Sequence, residues 1–512
     1  MSEFEISKKT KVILFSLLLL LNIILRIPSI PHEKGADSFF IHSLANSIST
    51  YGLANWWVHW LSVFGFYPYS YASAVPFSLS GMSQLLDMNM ETTILLFSIF
   101  IGLFSIFVGY SLAGLIYNDF VFKYLMAMFF SISQGIMIFS TWEISARGPF
   151  MIFLPFFIFI LLKKIPITKK ILFTLIILIF IFSIHHYAWF TLPILFAYIA
   201  LKVISNIERI WSKQVYLNYL YAIGFCIASM LPFFEKSLIV AGSRYDWILT
   251  MLVSHTRFVG PLIVFALGGL IYLILNKNKN IAQWLLLSSV LSFAPFFYNI
   301  NYGVYVGLLF LVFLGTVGFW NLFKVQNVMT SRILTVLIVL NLLFFVSFSS
   351  FYNHERTGEY QHYWYMSELT FHEGNWINDH IEKDKRVLII SENSHNVRSI
   401  ALQTNGSSVL QGGTEGLAYG FIDSSFVDNL TRVPYTSSYF YSESPYQATE
   451  RDIYRSIEWY ILAKDIRKIK EVYDLDYFVQ SLTYRRPAGF STTKMDRIYT
   501  NGLLEVYEIS DL

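Results

Sequence analysis

Cysteine and charge are both scarce in this chain of 512 residues. The single cysteine, Cys226, lies inside an apolar run, so an intrachain disulfide is impossible and cysteine usage gives no information about the compartment. Only 14% of the residues are charged, whereas 55% are hydrophobic and 18% are aromatic. Ordinary soluble proteins do not have this balance, and the composition therefore predicts a polytopic membrane protein.

The short signatures of several soluble enzyme classes are also missing. The sequence contains no CxxC, HExxH or GxSxG motif, and neither Gly412-Gly413 nor the lone glycines form a nucleotide-binding spacing. It has no heptad repeat and no low-complexity tract, and it gives no reason to expect a nucleic-acid partner. The function must therefore be sought in the membrane part and not in a soluble-enzyme motif.

Charge divides the chain into two unlike parts. Residues 1–352 contain 21 Lys and Arg against 11 Asp and Glu, a net charge of +10, and residues 353–512 contain 16 against 23, a net charge of −7. Residues 1–352 are predicted to be a transmembrane domain and 353–512 a soluble α/β domain. The α/β assignment rests on predicted helices at 367–382 and 449–469 and predicted strands at 387–391, 477–480 and 503–508.

Eleven apolar segments predict an α-helical multi-pass membrane protein with about 11 transmembrane helices. The fifth and sixth segments are separated only by His185, His186 and Tyr187, so they could instead form one bent helix. The segments are 12–27, 93–117, 121–140, 149–162, 171–184, 188–203, 215–234, 258–275, 281–298, 303–323 and 333–351.

The distribution of lysine and arginine favours eleven separate spans. With the N-terminus inside, fifteen of these residues fall on the inner side of the membrane part and six on the outer side, in agreement with the positive-inside rule. The first segment lacks a small-residue cleavage site, so it is predicted to be retained as a helix. The C-terminal domain is then extracytoplasmic, which is compatible with the sequons at Asn405 and Asn429.

The segment from His32 to Tyr51 places a carboxylate, Asp37, at a membrane boundary. A carboxylate beside hydrocarbon is costly unless it is solvated, paired or functional. Gly35 permits a sharp turn, and the apolar residues that follow recur at helical spacing, which predicts a short amphipathic helix with Asp37 at its start. Spacing alone supports two interpretations of Asp37 equally, a helix N-cap and a functional carboxylate.

The first outer loop, residues 28–92, is much longer than a connection requires and is rich in aromatic residues. Tryptophan and tyrosine favour the headgroup zone of a bilayer, so their main role is predicted to be anchoring. Some of these rings could also stack on a sugar or contact a lipid. His59 lies within this aromatic stretch and is a candidate substrate contact.

The second outer loop, TWEISARGP, contains Glu143 and Arg147 between two apolar runs. Because they stand four residues apart, they could simply pair with each other on a helix. Ionisable residues near hydrocarbon more often line a polar cavity, and this is the alternative interpretation.

Three further basic or titratable residues are candidates for contact with substrate. His185 and His186 lie at the tip of the predicted helix pair, although a histidine in a helix bundle is more often a satisfied core residue. Arg244 could grip a phosphate through its fork of donors, or it could merely pair with Asp246.

These features, in this order, resemble the GT-C superfamily of membrane glycosyltransferases, which includes protein mannosyltransferases, aminoarabinose transferases and oligosaccharyltransferases. GADSFF is similar to the family's first external loop, TWEISARGP stands where the second is found, and SIHHYAWFTLPILF resembles a helical hairpin with a polar tip. WINDHIEKDKRVLIIS resembles the entry to the external domain of archaeal-type members. After this strand the chain reads ENSHNVRSIA, where an oligosaccharyltransferase would carry WWDYG.

The resemblance implies transfer of one sugar from a polyprenyl-phosphate carrier to an acceptor hydroxyl on a glycan, lipid or protein at the outer face of the cell membrane. Asp37 and Glu143 would be the catalytic residues, and a divalent metal, Mg²⁺ or Mn²⁺, would bind to them if one is used. The candidate substrate-binding residues are Lys34, His59, Arg147, His185, His186 and Arg244. The alternatives are a transporter or flippase for lipid-linked sugars, and an oligosaccharyltransferase-like protein that lacks WWDYG.

The predicted topology can be tested by cysteine labelling. Thr168→Cys and Ser424→Cys should react with a membrane-impermeant thiol reagent from opposite sides, because the lysine asymmetry places residue 168 inside and residue 424 outside. The parent protein, whose Cys226 lies in an apolar run, is the control. Labelling of both positions from the same side would be incompatible with eleven spans.

Overall fold

Helices dominate the computed structural model, which describes residues 6–52, 72–234, 246–294, 303–324, 328–354, 365–382, 385, 387–390, 409–411, 470, 476–481, 495–502 and 504–509. The helices of the first 354 residues that it describes are α1 Lys8–Ile24, α2 Ala36–Tyr51, α3 Ala74–Leu86, α4 Met90–Ile116, α5 Phe120–Ser131, α6 Gln134–Met137, α7 Arg147–Leu162, α8 Ile167–Ile184, α9 Thr191–Asn206, α10 Glu208–Trp211, α11 Gln214–Phe234, α12 Asp246–Val259, α13 Ile263–Leu275, α14 Ile281–Phe293, α15 Gly303–Lys324 and α16 Val328–His354.

Several of these helices are built to lie in hydrocarbon. In the described part of the chain, four helical stretches are long and apolar enough to cross a membrane: Met90–Ile116, Ile167–Ile184, Tyr187–Asn206 and Leu249–Leu275. Five shorter apolar helices accompany them. Large side chains on α8, such as Leu175 and Ile179, are more than half exposed, which is stable only against lipid. The chain is therefore a helical membrane protein.

The fifth and sixth apolar segments, which the sequence alone could not distinguish from one bent helix, form two helices. α8 ends before His185, whose backbone is extended (φ −155°, ψ 141°), and a 3-10 turn, His186–Phe190, leads into α9. The extended residue breaks the run of helical hydrogen bonds, so α8 and α9 are separate helices.

The predicted span at 121–140 is interrupted, because α5 ends at Ser131. The guanidinium of Arg26, which is fully buried, donates to the Ser131 carbonyl (2.9 Å) and to Ser140 Oγ (3.1 Å). It also donates to Asn22 Oδ1 (2.7 Å), and Gly102 makes room for it, since a Cβ there would lie 1.8 Å from Arg26 Nε. Arg26 thus satisfies a carbonyl that a helix end leaves without a partner and fixes where α5 stops.

Beyond the membrane part, the described residues form a helix and a five-stranded sheet. The helix α17 is Glu368–His380, and the strands are β1 Val387–Ile390, β2 Val409–Gln411, β3 Tyr477–Ser481, β4 Asp496–Thr500 and β5 Leu504–Glu508. Their order is β2-β1-β3-β5-β4; β1 pairs in parallel with β2 and β3, and β5 pairs antiparallel with β3 and β4. α17 packs on the sheet through Ile377. The predicted helix 449–469 and both sequons lie outside the described residues.

α17 also contacts the loop between α1 and α2. The ring of His32 stacks on Phe371 with centroids 4.0 Å apart, and Phe39 packs with Phe371 and Met366 in a small apolar cluster. The C-terminal part of the chain therefore packs against the segment around Asp37.

Two carboxylates face the same imidazole. His32 Nδ1 lies 3.1 Å from Glu91 Oε1, and Nε2 lies 3.4 Å from Glu368 Oε2. Burial lowers the pKa of His32, but hydrogen bonding and attraction to Glu91 and Glu368 outweigh burial and raise that pKa above its ordinary value. The His32 ring thus bridges α4 and α17.

Glu373, on the sheet side of α17, provides a test of this packing. Its side chain is fully buried, neither carboxyl oxygen has a hydrogen-bond partner among the described residues, and burial raises its pKa to about 8. Because the folded pKa lies above the unfolded one, the folded state binds the extra proton, and the free energy of unfolding should fall as pH rises from the ordinary pKa through about 8.

Glu373→Gln should abolish this pH-dependent loss and make the protein more stable than the wild type above pH 8. The measurement is the unfolding midpoint of the purified protein in detergent across this pH range. An unchanged pH dependence in the variant would show that the carboxyl is not buried as described.

Candidate active site

Two loops are joined by hydrogen bonds at one end of the bundle, one between α1 and α2 and one between α6 and α7. The backbone N–H of Lys34 donates to the Trp142 carbonyl (3.1 Å), and the N–H of Ile144 donates to Ser38 Oγ (3.1 Å). Trp142 Nε1 donates in turn to the Glu91 carbonyl at the start of α4 (3.0 Å). GADSFF and TWEISARGP, far apart in sequence, therefore form one structural unit.

Gly35 lies against the second loop. Its φ of +98° is unfavourable for any residue with a Cβ, and a Cβ there would lie 2.8 Å from Cγ, Cδ and Oε1 of Glu143. The side chain of Glu143 is 1% exposed and lies directly against this glycine. Glycine at this position is thus required both by the backbone and by the packing.

Asp37 lies in the first turn of α2. The helix begins at Ala36 with Gly35 as its N-cap, and no side chain caps it. The interpretation of Asp37 as the N-cap is therefore wrong, because the sharp turn at the glycine starts the helix two residues earlier than a cap at position 37 requires. The carboxylate remains near the positive end of the helix dipole.

The Asp37 carboxylate is held by the second loop and is open to solvent. Its Oδ2 accepts from Arg147 Nη1 (3.0 Å) and from Ser145 Oγ (3.2 Å). The side chains of Asp37 and Arg147 are 49% and 28% exposed. The structure therefore brings together one predicted catalytic residue and one predicted phosphate contact at an accessible position.

An aromatic residue lies under the Arg147 guanidinium. The centre of the guanidinium is 5.4 Å from the ring centroid of Tyr305, at the start of α15, a cation–π contact that fixes the side chain. Arg257 of α12 and the carboxylate of Glu143 also act electrostatically on Tyr305. Charged side chains from four elements, α2, the second loop, α7 and α12, thus act on one tyrosine.

Sequence reasoning missed a buried acid–histidine pair behind Asp37. Glu33 and His42 are both fully buried, and the carboxylate of Glu33 hydrogen-bonds His42 Nδ1. Ser38 Oγ donates to the other oxygen of Glu33 (3.1 Å), and Glu91 Oε1 accepts from the Glu33 N–H (2.9 Å). The signal was present, because HEKGADSFFIH brings two acids and two histidines into eleven residues.

The helical hairpin packs beside the site. His185 is 7% exposed and lies 5.4 Å, ring to ring, from Phe150, which is one turn along α7 from Arg147. Lys34 is 1% exposed, so its side chain is not presented to solvent. His186 lies in the 3-10 turn, but its side chain falls outside the described set, as do His59 and Arg244 entirely.

The described residues do not by themselves fit a divalent metal at Asp37 and Glu143. Within that part of the chain, no group of three or more His, Cys, Asp or Glu side chains could hold a metal ion. The oxygen of Asp37 that faces the second loop is already bound by a guanidinium and a hydroxyl.

No protein-family model and no curated protein sequence matches the chain. Several solved structures match its fold, among them the following three. Two are of the Archaeoglobus fulgidus oligosaccharyltransferase: one tethered to an acceptor peptide that contains the NVT sequon (TM-score 0.59, 9% identity, 94% of this chain and 70% of that one), and one in complex with Zn and sulfate (0.58, 12%, 91% and 68%). The third is ArnT from Cupriavidus metallidurans bound to undecaprenyl phosphate (0.57, 10%, 99% and 99%).

At these identities the comparisons establish the fold. They cover more than nine-tenths of the chain, so the similarity extends through the helical bundle and into the C-terminal part. The resemblance drawn from GADSFF and TWEISARGP is confirmed at this level. The chain has the fold of the GT-C membrane glycosyltransferases.

Proposed function

We propose that this protein is a membrane glycosyltransferase that moves a sugar from a polyprenyl-phosphate donor to an acceptor hydroxyl at the outer face of the membrane. The observation that carries the proposal is the exposed Asp37–Arg147 ion pair where the two loops meet. A carboxylate and a guanidinium at one accessible position supply a proton acceptor and a phosphate contact, the two groups that this transfer requires.

Asp37 acts as the general base. Its carboxylate accepts the proton of the acceptor hydroxyl as the hydroxyl oxygen attacks the anomeric carbon of the donor sugar. The bond between that carbon and the phosphate oxygen breaks, and polyprenyl phosphate leaves with the bonding electrons. The hydrogen bonds from Arg147 and Ser145 hold the carboxylate in one orientation while its solvent-facing side remains available.

Arg147 stabilises the departing phosphate. Its guanidinium carries five N–H donors, so it can retain Asp37 through Nη1 while other donors contact phosphate oxygens. Arg257, which acts on the same tyrosine, adds a second positive charge. Positive charge fixed where the leaving group becomes more negative lowers the barrier without reorganisation during the reaction.

Glu143 and the buried pair Glu33–His42 position the site. Glu143 lies against Gly35 and is 1% exposed, so it holds the turn that presents Asp37 and contributes negative charge behind it. Glu33 and His42 fix Ser38, which binds the second loop. We assign direct contact with the acceptor to Asp37 and a positioning role to these three residues.

An apolar cavity supports a lipid-linked donor. It encloses about 370 Å³ among α11 to α15 and includes His255, two residues before Arg257 on α12. A prenyl chain fits walls of this chemistry, and its phosphate would then lie toward Arg257 and Arg147. The fold match to ArnT bound to undecaprenyl phosphate agrees with such a donor.

The proposed topology has eleven spans, with residues 1–352 in the membrane domain and 353–512 in an extracytoplasmic domain. α7 supports this arrangement, because it begins with Arg147 at the site and is followed at its other end by Lys163 and Lys164. The lysine-rich end is expected inside, so the site lies outside. The acceptor is then a glycan, lipid or protein that approaches from the outer aqueous side.

Replacement of Asp37 by asparagine separates the catalytic role from a structural one. Asp37→Asn keeps the size of the side chain and an oxygen that can accept the bond from Arg147, but it cannot take up a proton. Transfer of labelled sugar from a polyprenyl-phosphate donor should fall by about 10²- to 10⁴-fold in kcat, with donor binding retained.

Asp119→Asn is the matched control, because Asp119 caps α5 through the Phe122 N–H and asparagine caps equally well. That variant should keep full transfer. Near wild-type turnover in Asp37→Asn would refute the assignment of the general base.

Replacement of Arg147 by lysine tests the phosphate contact. Lysine keeps the charge but loses the planar fork, so it cannot bind Asp37 and a phosphate at the same time. Arg147→Lys should reduce kcat/KM by about tenfold or more. Arg332→Lys, at an exposed position on α16, should leave it unchanged. If Arg147→Lys keeps full activity and donor affinity, Arg147 serves only to pair with Asp37.

A further inference from the structure

A second concave site lies at the opposite end of the bundle from Asp37. It is a cavity of about 670 Å³ formed where α4, α7 and α9 end and α14 begins. α4 connects the two ends: Glu91 in its first turn binds the loop before Asp37, and Leu115 near its last residue lines this cavity. A helix of 27 residues spans about 40 Å, which is the separation of the two sites along the bundle.

The cavity is lined by four lysines and by no acid. The lysines are Lys163, Lys164, Lys202 and Lys279, and the other described lining residues are neutral. We call this set the lysine pocket. Glu208, on the short helix that supplies Trp211 to its wall, does not line the cavity.

Two lysines at this end are used by the fold itself. Lys279 Nζ donates to Asn218 Oδ1 and to the carbonyls of Ile274 and Asn276, and so completes the end of α13. Lys170 Nζ does the same for α7 through the Leu161 carbonyl (2.7 Å). Their charges complement the negative ends of these helices.

The other three lysines of the lysine pocket have different contacts from those of Lys279 and Lys170. In the described part of the chain, Lys163, Lys164 and Lys202 form no salt bridge and donate no side-chain hydrogen bond, and all three are exposed. They belong to two different helices, α7 and α9, yet they line one cavity. Like charges held near each other without a counter-ion repel, and an anion between them would remove that cost.

The other walls have the chemistry of the membrane interface. Leu115, Leu162 and Ile281 provide apolar surface, and Tyr198 and Trp211 are residues that favour the headgroup zone. Apolar walls beside a cluster of cations match a molecule with an anionic head and hydrocarbon chains better than they match a free inorganic ion.

We propose that the lysine pocket binds the phosphate headgroup of an anionic phospholipid in the leaflet opposite to the candidate active site. The phosphate lies between Lys163, Lys164 and Lys202, and the acyl chains run along the apolar wall. This site is independent of the proposed glycosyl transfer.

The test uses the full-length protein purified in a zwitterionic detergent. Native mass spectrometry would compare binding of phosphatidylglycerol and of phosphatidylcholine with identical acyl chains, and a third arm would add inorganic phosphate as a competitor. The pocket variant is Lys163→Gln/Lys164→Gln/Lys202→Gln. The matched control is Lys8→Gln/Lys9→Gln/Lys11→Gln, which removes three charges at the same end of the bundle, where Lys11 lies over the Phe120 ring.

Wild type and control should retain phosphatidylglycerol selectively, and the pocket variant should lose that selectivity by on the order of tenfold or more, since each basic residue near an anionic lipid contributes about fivefold. Inorganic phosphate should not compete. Lys202→Gln alone should give a partial loss and serves as the readout if the triple variant does not fold.

Three results would overturn the proposal. Equal binding of the two lipids by the wild type would show that the headgroup charge is not recognised. An equal loss in the control variant would show that general surface charge is responsible. Full competition by inorganic phosphate would identify a free-phosphate site in place of a lipid site.

Discussion

The contact between Gly35 and Glu143 is the constraint on which the candidate site depends. Two loops more than a hundred residues apart in sequence share hydrogen bonds here, and a Cβ at position 35 would lie 2.8 Å from the side chain of Glu143. The positive φ at this glycine also sets where α2 begins and thus where Asp37 points. The ion pair with Arg147, the contact with Ser145 and the arrangement around Tyr305 all follow from this approach.

A buried guanidinium determines the path of the second loop. Arg26 binds the end of α5 and Ser140, and in the described structure it is satisfied by carbonyl, amide and hydroxyl oxygens with no carboxylate. Burial of an unneutralised charge costs several kcal/mol, so each of these hydrogen bonds is needed to keep the residue in place. Loss of Arg26 would release the segment that leads to Glu143.

Much of this architecture could be predicted from sequence, because it rests on long-range composition and short periodic patterns. The apolar segments gave the helices to within a few residues at α4, α7 and α15. The polar residues at 185–187 marked the end of α8, and GADSFF and TWEISARGP are joined by hydrogen bonds.

The features that the sequence did not predict share a different cause, since each depends on a contact that forms only in the folded chain. Ser131 ends α5 because a distant arginine binds its carbonyl, and local apolar character continues past it. Asp37 was open to assignment as a cap because its alternative partner, Arg147, is remote in sequence. Glu33 and His42 gained importance only when burial placed them together.

The contact of His32 with Glu368 and Phe371 bears on how the molecule is made. Residue 32 emerges from the ribosome early, whereas residues 368 and 371 follow every described membrane helix. The loop before Asp37 therefore inserts without its final partner and completes its packing only when α17 arrives. The described membrane helices are thus synthesised before this surface of the site is complete, so a nascent chain halted before α17 would carry all of those helices and an unfinished loop.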